Sequence, residues 1–165
     1  MNECFISYRK KLKKVDATVF AQLMFVDVSS DRWDQENLTK RNLDFSVDSI
    51  HYIDAYATRL AASEAGATQL RNHFDSFVIR LGAYIGEVIK RNSQQDFAWY
   101  DFDSVYHHSA KLANVHKAVS DEIVLYSQAR DEVLFPFSVV RRFLEGNSPY
   151  PSFLAYVDEV MEEHR

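Results

Sequence analysis

The sequence predicts one α+β domain that is mostly helical and carries a small antiparallel sheet of two or three strands. The chain has 165 residues, 47% hydrophobic and 26% charged, which suits a single domain with its own apolar core. Apolar residues recur at intervals of three and four between residues 43 and 91, as on amphipathic helices. After Asn92, short aromatic and β-branched runs are bounded by polar residues, as in strands. We assign residues 1–42 to an N-terminal helical region and residues 43–165 to the core.

The N-terminal region opens with a basic segment. Five of the six positions from Arg9 to Lys14 are basic, and apolar residues accompany them at helical spacing. This pattern predicts an amphipathic helix over residues 3–14. Its basic face suits an acidic partner or a membrane surface, but we prefer an ordinary solvated face because the rest of the chain is acidic.

A second helix is predicted over "ATVFAQLMF". Asp16 is a suitable cap, and Val19, Phe20 and Leu23 continue an apolar stripe. A short strand over "LMFVDV" is the alternative, and we prefer the helix. Residues 29–42 are polar and predict a loop.

Two long helices are predicted to follow and to pack against each other. Ser46 can cap the first, with Phe45 packed on Ile50 as a hydrophobic staple, and Gly66 supplies its C-terminal stop. The second runs from about 68 to 91 and carries a wide apolar face, so it should lie at the centre of the fold. A tight glycine turn between them favours antiparallel packing.

The C-terminal half mixes strands and helices. The segments "DFAWYDFD", "EIVLYS" and "EVLFPF" predict three strands, the last two forming a hairpin around "QARD". Ser104 can cap a helix that runs to about residue 119. Pro136 should end the third strand, and Ser138 should cap a short helix after it. A final helix is predicted over residues 152–163.

Two glycines one turn apart, Gly82 and Gly86, indicate a special contact on the central helix. Each costs about 0.5–1 kcal/mol relative to alanine inside a helix, so a local reason is expected. Two interpretations stay open. Either a backbone or a large aromatic such as Trp99 packs closely there, or the small residues line a shallow pocket with Glu87 at its rim. The candidate binding residues are Tyr84, Glu87, Trp99 and Tyr100.

The aromatic segment after this helix is a second candidate surface. Five aromatic residues lie between residues 97 and 106, more than one face of a short strand can bury. Exposed Trp and Tyr side chains favour protein interfaces, whereas core packing is the interpretation that we prefer.

Histidine and aspartate residues near position 105 supply the main candidate for chemistry. In a helix over 104–119, His108 and His116 would lie about 12 Å apart, too far for one ion. His107 and His108 would point roughly 100° apart. His51 with Asp54 is an acid/base pair of a kind that surface helices produce often. We therefore predict no metal site and no catalytic residue. A hydrolase built on Asp101, Asp103, His107, His108 and His116 is the alternative.

Composition excludes several classes of function. The formal net charge of −5 argues against nucleic-acid binding, which demands a basic surface. Cys4 is the single cysteine, so no intramolecular disulfide forms, and no Cys/His spacing matches a zinc site. The N-terminus lacks the pattern of a signal peptide, and no apolar run reaches the length of a membrane span. We expect a cytoplasmic protein without a cofactor, and without a nucleic-acid or membrane partner.

Three stretches resemble a group of small, uncharacterised bacterial proteins. These are "LDFSVDSIHYIDAY", then "LGAYIGEVIKRN" with Trp99 soon after, and "VLFPFSVVRRFLEG". They match that group's "LDFS" helix start, its "GAY-GE" helix, its tryptophan-containing strand and its "FPF-V" junction. The resemblance covers roughly residues 43–146 and leaves residues 1–42 to variation. It implies a bacterial source, an α+β domain and a role as companion of a larger system, such as an immunity or regulatory protein, and it identifies no catalytic residue.

These observations favour a non-catalytic binding protein. An acidic surface can steer the chain onto a basic partner, such as a nuclease-type toxin in an immunity role, with Glu87 and Trp99 among the contacts. Two alternatives stay open: the hydrolase described above, and a structural homo-oligomer built on the aromatic strand.

Overall fold

The computed structural model describes residues 11–112 and 123–164. These residues form eight α-helices and a three-stranded antiparallel sheet, so the mostly helical α+β class is confirmed. The helices are α1 (Thr18–Val26), α2 (Arg32–Asn37), α3 (Ile50–Ala62), α4 (Glu64–Asn72), α5 (Phe74–Asn92), α6 (Phe102–His108), α7 (Pro136–Leu144) and α8 (Phe153–Glu163). The strands are β1 (Ala98–Asp101), β2 (Ile123–Ser127) and β3 (Glu132–Leu134).

Helix α5 is the centre of the fold, as its wide apolar face predicts. Every residue from Leu81 to Ile89 is buried, with α1 and α7 making the most extensive contacts and α8 also packed against it. Helix α1 runs antiparallel to α5, because Thr18 reaches Glu87 whereas Asp27 reaches Arg80. No helix in the described ranges combines the length and the apolar character that crossing a bilayer requires.

The sheet has the order β1-β2-β3, with Trp99 opposite Leu125 and Leu125 opposite Leu134. The outer edge of β1 is covered by the segment just before α1. Asp101 N donates to Lys13 O at 2.9 Å, and Val15 N donates to Trp99 O at 3.2 Å. The helix predicted over residues 3–14 is therefore wrong over residues 11–14, where the backbone instead pairs with an otherwise open sheet edge. Residues 3–10 lie outside the described chain.

Two predictions for residues 16–42 have different outcomes. The helix over "ATVFAQLMF" is confirmed as α1. The loop predicted over residues 29–42 is wrong in part, because α2 lies within it. Asp31 caps α2 by accepting from Asp34 N at 3.1 Å, and the buried Asp34 carboxylate accepts from Ser29 Oγ at 2.6 Å.

The helix boundaries between residues 45 and 73 also differ from prediction. Ser46 belongs to a turn before α3 rather than capping it, and Phe45 stacks on Tyr84, with ring centroids 4.9 Å apart. Gly66 lies inside α4 rather than at the end of α3. Ser63 stands between the two helices and caps α4, because its hydroxyl accepts from Gly66 N at 2.9 Å. The helix predicted from 68 to 91 is broken at His73 into α4 and α5.

All three predicted strands form, and the remaining helices shift at their starts. Asp101, rather than Ser104, caps α6 by accepting from Ser104 N at 3.2 Å, and α6 ends at His108. Residues 113–119 of the predicted helix lie outside the described chain. Pro136 occupies the first turn of α7, where its missing N–H costs nothing, so this helix begins before Ser138. The helix predicted over residues 152–163 is confirmed as α8, and Ser152 caps it by accepting from Ala155 N at 3.0 Å.

Candidate functional site

Glu87 is a buried carboxylate that joins α5 to α1 and β1. Trp99 Nε1 donates to its Oε2 at 2.8 Å, and Thr18 Oγ1 donates to its Oε1 at 3.1 Å. Lys90 Nζ lies 3.4 Å from Oε2 and the Arg91 guanidinium 3.2 Å from Oε1. Burial raises the pKa of Glu87, but the Trp99 hydrogen bond, the Lys90 charge, the Thr18 hydroxyl and the Arg91 charge together hold it below its usual value. Both oxygens are thus occupied by internal donors, which suits a structural anion.

The two glycines of α5 allow close packing. A Cβ atom at Gly82 would lie 2.7 Å from Phe137 Cδ1, and one at Gly86 would overlap the six-membered ring of Trp99. Pro136 closes the same space, with its Cγ 3.3 Å from that second position. The packing interpretation is therefore confirmed, with Trp99 as the large aromatic that approaches the helix.

All four candidate binding residues are buried. The Tyr84 hydroxyl accepts from Phe45 N at 3.1 Å and lies 2.6 Å from Ser49 Oγ, and burial raises its pKa. Tyr100 accepts from Gln128 Nε2 at 3.0 Å. Tyr84, Glu87, Trp99 and Tyr100 are each at most 3% exposed. This corrects the pocket interpretation, because elements packed on α5 and β1 cover the side chains that a rim would have to present.

The aromatic segment is packed rather than displayed. Phe97, Trp99 and Tyr100 are buried, and Phe102 and Tyr106 are half-buried. The preferred core interpretation of this segment is confirmed. Residues 13 and 15 also cover the outer edge of β1.

The histidine and aspartate residues near position 105 serve separate local contacts. Asp101 caps α6, and Asp103 lies 3.4 Å from Nε2 of His107 in an exposed pair. The His108 ring packs edge-on against Tyr126. His116 lies outside the described residues. The described members of the set do not bring three ligand atoms together.

Asp54 holds the start of another helix. Its Oδ1 accepts from Phe153 N at 2.7 Å and its Oδ2 from Leu154 N at 3.1 Å, at the N-terminus of α8. Burial raises the pKa of Asp54, although these two bonds lower it. His51 is exposed on the same helix. Asp54, one member of the pair that suggested acid/base chemistry, thus serves as a cap that links α3 to α8.

An open cavity of about 530 Å³ lies where α2, α3, α4 and α5 meet. Its wall includes Asp31, Asp34, Tyr56 and Arg59. Burial raises the pKa of Asp34, and it raises the pKa of Tyr56 to about 12. Arg59 lies 3.7 Å from Asp31 and packs over the Trp33 ring at 5.0 Å. The Arg59 charge is therefore balanced within the wall by Asp31.

The outer face of α1, formed by Val19, Phe20 and Val26, is apolar and exposed. These side chains are 61%, 38% and 70% exposed. Ile79 of α5 is 40% exposed and precedes Arg80, which pairs with Asp27 at the end of α1. Of the predicted apolar stripe, Val19 and Phe20 are exposed and Leu23 is half-buried. Helix α1 is apolar on nearly every side, and the structure buries Ala21 and Met24.

Comparison of the chain with protein-family models, curated proteins and solved structures finds no match.

Proposed function

We propose that this chain is a non-catalytic binding protein whose protein partner docks on the outer face of α1. One observation carries the proposal. The four large apolar side chains exposed in the described chain lie on α1 and on the turn of α5 that its Asp27 contacts. Apolar groups clustered on a surface mark interaction sites, whereas isolated ones need no explanation.

The geometry of α1 supports a docking role for this face. Val19 and Val26 are seven residues apart, so they share one side of the helix. Ala21 and Met24 occupy the opposite side and are buried. Burying the exposed part of each valine would contribute roughly 1–2 kcal/mol to binding.

Charge favours a basic partner. The chain carries a formal net charge of −5, and Asp16 is exposed at the start of α1, whereas Asp27 at the other end is paired with Arg80. Opposite charge on the partner would steer encounter and fix orientation, while the apolar face supplies affinity. A cytoplasmic toxin with a basic cleft fits this description and would give the chain an immunity role.

The test compares two variants that introduce the same charge. Val26→Asp alters the face, and Thr58→Asp, on the exposed side of α3, is the matched control. Tagged wild-type protein and both variants are used to recover partners from the cells that encode the chain. Light scattering reports their oligomeric states. We expect wild type and the Thr58 variant to recover the same protein, and the Val26 variant to bind it at least about tenfold more weakly.

Other outcomes are equally informative. A dimer that the Val26 variant dissociates would assign the face to a second copy of the chain. A loss of stability above about 1 kcal/mol in Val26→Asp would mean that the chain itself covers the face, since exposed substitutions usually change little. Equal recovery by all three proteins would refute the proposal. For the immunity role, the recovered protein should arrest growth when expressed alone and not when expressed with the wild-type chain.

A further inference from the structure

The C-terminal end of α8 meets β3 at a cluster of one histidine and two glutamates. Nitrogen of His164 and carboxylate oxygens of Glu132 and Glu163 all lie within 4.8 Å of one another. We propose that these three residues bind a first-row divalent metal ion, with Zn²⁺ as the best fit. This site is separate from the α1 face and does not depend on the function proposed above.

The His164 ring is fixed in an orientation suited to a ligand. It is 2% exposed, and the Phe97 ring packs against it with centroids 5.2 Å apart. Its Nδ1 lies 2.8 Å from Val160 O. A carbonyl oxygen only accepts hydrogen bonds, so Nδ1 must carry a proton. A ligating histidine typically uses its second nitrogen in this way, since the bond fixes both tautomer and ring.

The other nitrogen of His164 then faces a carboxylate. Nε2 lies 2.6 Å from Oε2 of Glu132. In a neutral ring with its proton on Nδ1, Nε2 presents a lone pair, and an ionised carboxylate also presents lone pairs. A cation must therefore stand between the two atoms. A proton can occupy this position, and the two residues then form an ion pair. A divalent metal ion can also occupy it, by binding Nε2 of His164 and the carboxylates of Glu132 and Glu163.

The ligand types favour a borderline metal ion over Mg²⁺ or Ca²⁺. An imidazole with two carboxylates suits Zn²⁺ and its neighbours, whereas Mg²⁺ and Ca²⁺ prefer oxygen alone. Zinc bonds to these atoms are about 2.0–2.2 Å long, so the contact between His164 and Glu132 must open by several tenths of an ångström. Glu163 is exposed, so its side chain can reorient toward the ion at little cost.

A cavity beside the cluster leaves room for further coordination. It measures about 410 Å³ and is lined by His164 itself with Asn92, Ser93, Gln94 and Met161. Three protein ligands with an open position are typical of zinc sites that hold water or a small ligand.

The experiment uses full-length protein freed of metal by a chelator. Zinc chloride is titrated by calorimetry into wild type, Glu163→Gln and Glu162→Gln, with magnesium chloride as the comparison ion. Both variants remove one negative charge from exposed positions on the same turn, so they are matched in fold and in long-range charge. The melting temperature is measured with and without Zn²⁺ as a second readout.

We expect wild type and the Glu162 variant to bind one Zn²⁺ per chain with equal affinity, and neither to bind Mg²⁺ comparably. The Glu163 variant should bind at least about tenfold more weakly and lose the zinc-dependent rise in melting temperature. Absence of saturable one-to-one binding would overturn the proposal and leave a proton between His164 and Glu132. Equal affinity in the Glu163 variant, or an equal loss in the Glu162 variant, would also overturn it.

Discussion

Replacing Glu87 with glutamine tests whether the core depends on a buried charge. The substitution keeps the shape of the side chain but removes one acceptor oxygen. In the wild type, each carboxylate oxygen accepts from a different neutral donor, Trp99 at 2.8 Å and Thr18 at 3.1 Å. Glutamine can accept only one of these bonds well, because its amide nitrogen is itself a donor.

The expected loss of stability is about 2–3 kcal/mol. A hydrogen bond to a charged group contributes about 1.5–3 kcal/mol, and a buried donor left without a partner costs a similar amount. The Lys90 and Arg91 side chains are 36% and 42% exposed, so solvent screens their attraction and it adds little. For a chain of this size the melting temperature should fall by about 5–10 °C.

Urea unfolding of wild type, Glu87→Gln and Glu145→Gln measures the effect. Glu145 is exposed, so its variant controls for the loss of one negative charge. The midpoint should fall for Glu87→Gln with an unchanged slope, and the control should match wild type. A Glu87 variant within about 0.5 kcal/mol of wild type would refute the argument that the core needs the ionised carboxylate.

The difference in stability between wild type and Glu87→Gln should depend on pH. The pKa of Glu87 in the folded chain lies below its usual value of 4.5. Its contribution to stability is therefore complete above pH 4.5 and is lost as the pH falls through the folded pKa. We expect the difference between wild type and Glu87→Gln to shrink as the pH falls below 4.5. A difference that stays constant down to complete acid unfolding would contradict this assignment.

Two further predictions concern packing and capping. Gly86→Ala should destabilise by about 1–3 kcal/mol, because overlap with the Trp99 ring outweighs the gain in helix propensity, and near-ultraviolet circular dichroism should report displacement of the indole. An alanine variant as stable as wild type would contradict that contact. Asp54→Asn should cost about 1–2 kcal/mol and speed hydrogen exchange at Phe153 and Leu154, because asparagine offers one acceptor to two amides. Unchanged exchange at both amides would mean that the cap is not used.

The contact between Gly86 and Trp99 was predictable in part, and the burial of Glu87 was not. Two glycines in a helix require a close neighbour, and a tryptophan twelve residues after Glu87 was a suitable one. Whether the carboxylate faced a pocket or the core depended on Thr18, which is 69 residues distant. No local pattern encodes such a contact.

The two sites proposed above depend still more on long-range contacts. The sequence could not distinguish the outer face of α1 from its inner face, because the helix is apolar on both. His164 and Glu163 are adjacent in the chain, but Glu132 is 32 residues away on β3 and forms no recognisable spacing with them.

The sequence by itself determined the α+β class, the central amphipathic helix, the three strands and the start of α8. Each depends on periodicity or capping within a few residues, where the chain's own geometry dictates which side chains share a face. The tertiary structure decided which side of α1 is covered, how residues 13–15 close the sheet edge, and that Asp54 caps a helix about one hundred residues away. Those features arise between segments remote in sequence, because unpaired backbone groups and apolar surfaces are satisfied by whichever element the fold brings beside them.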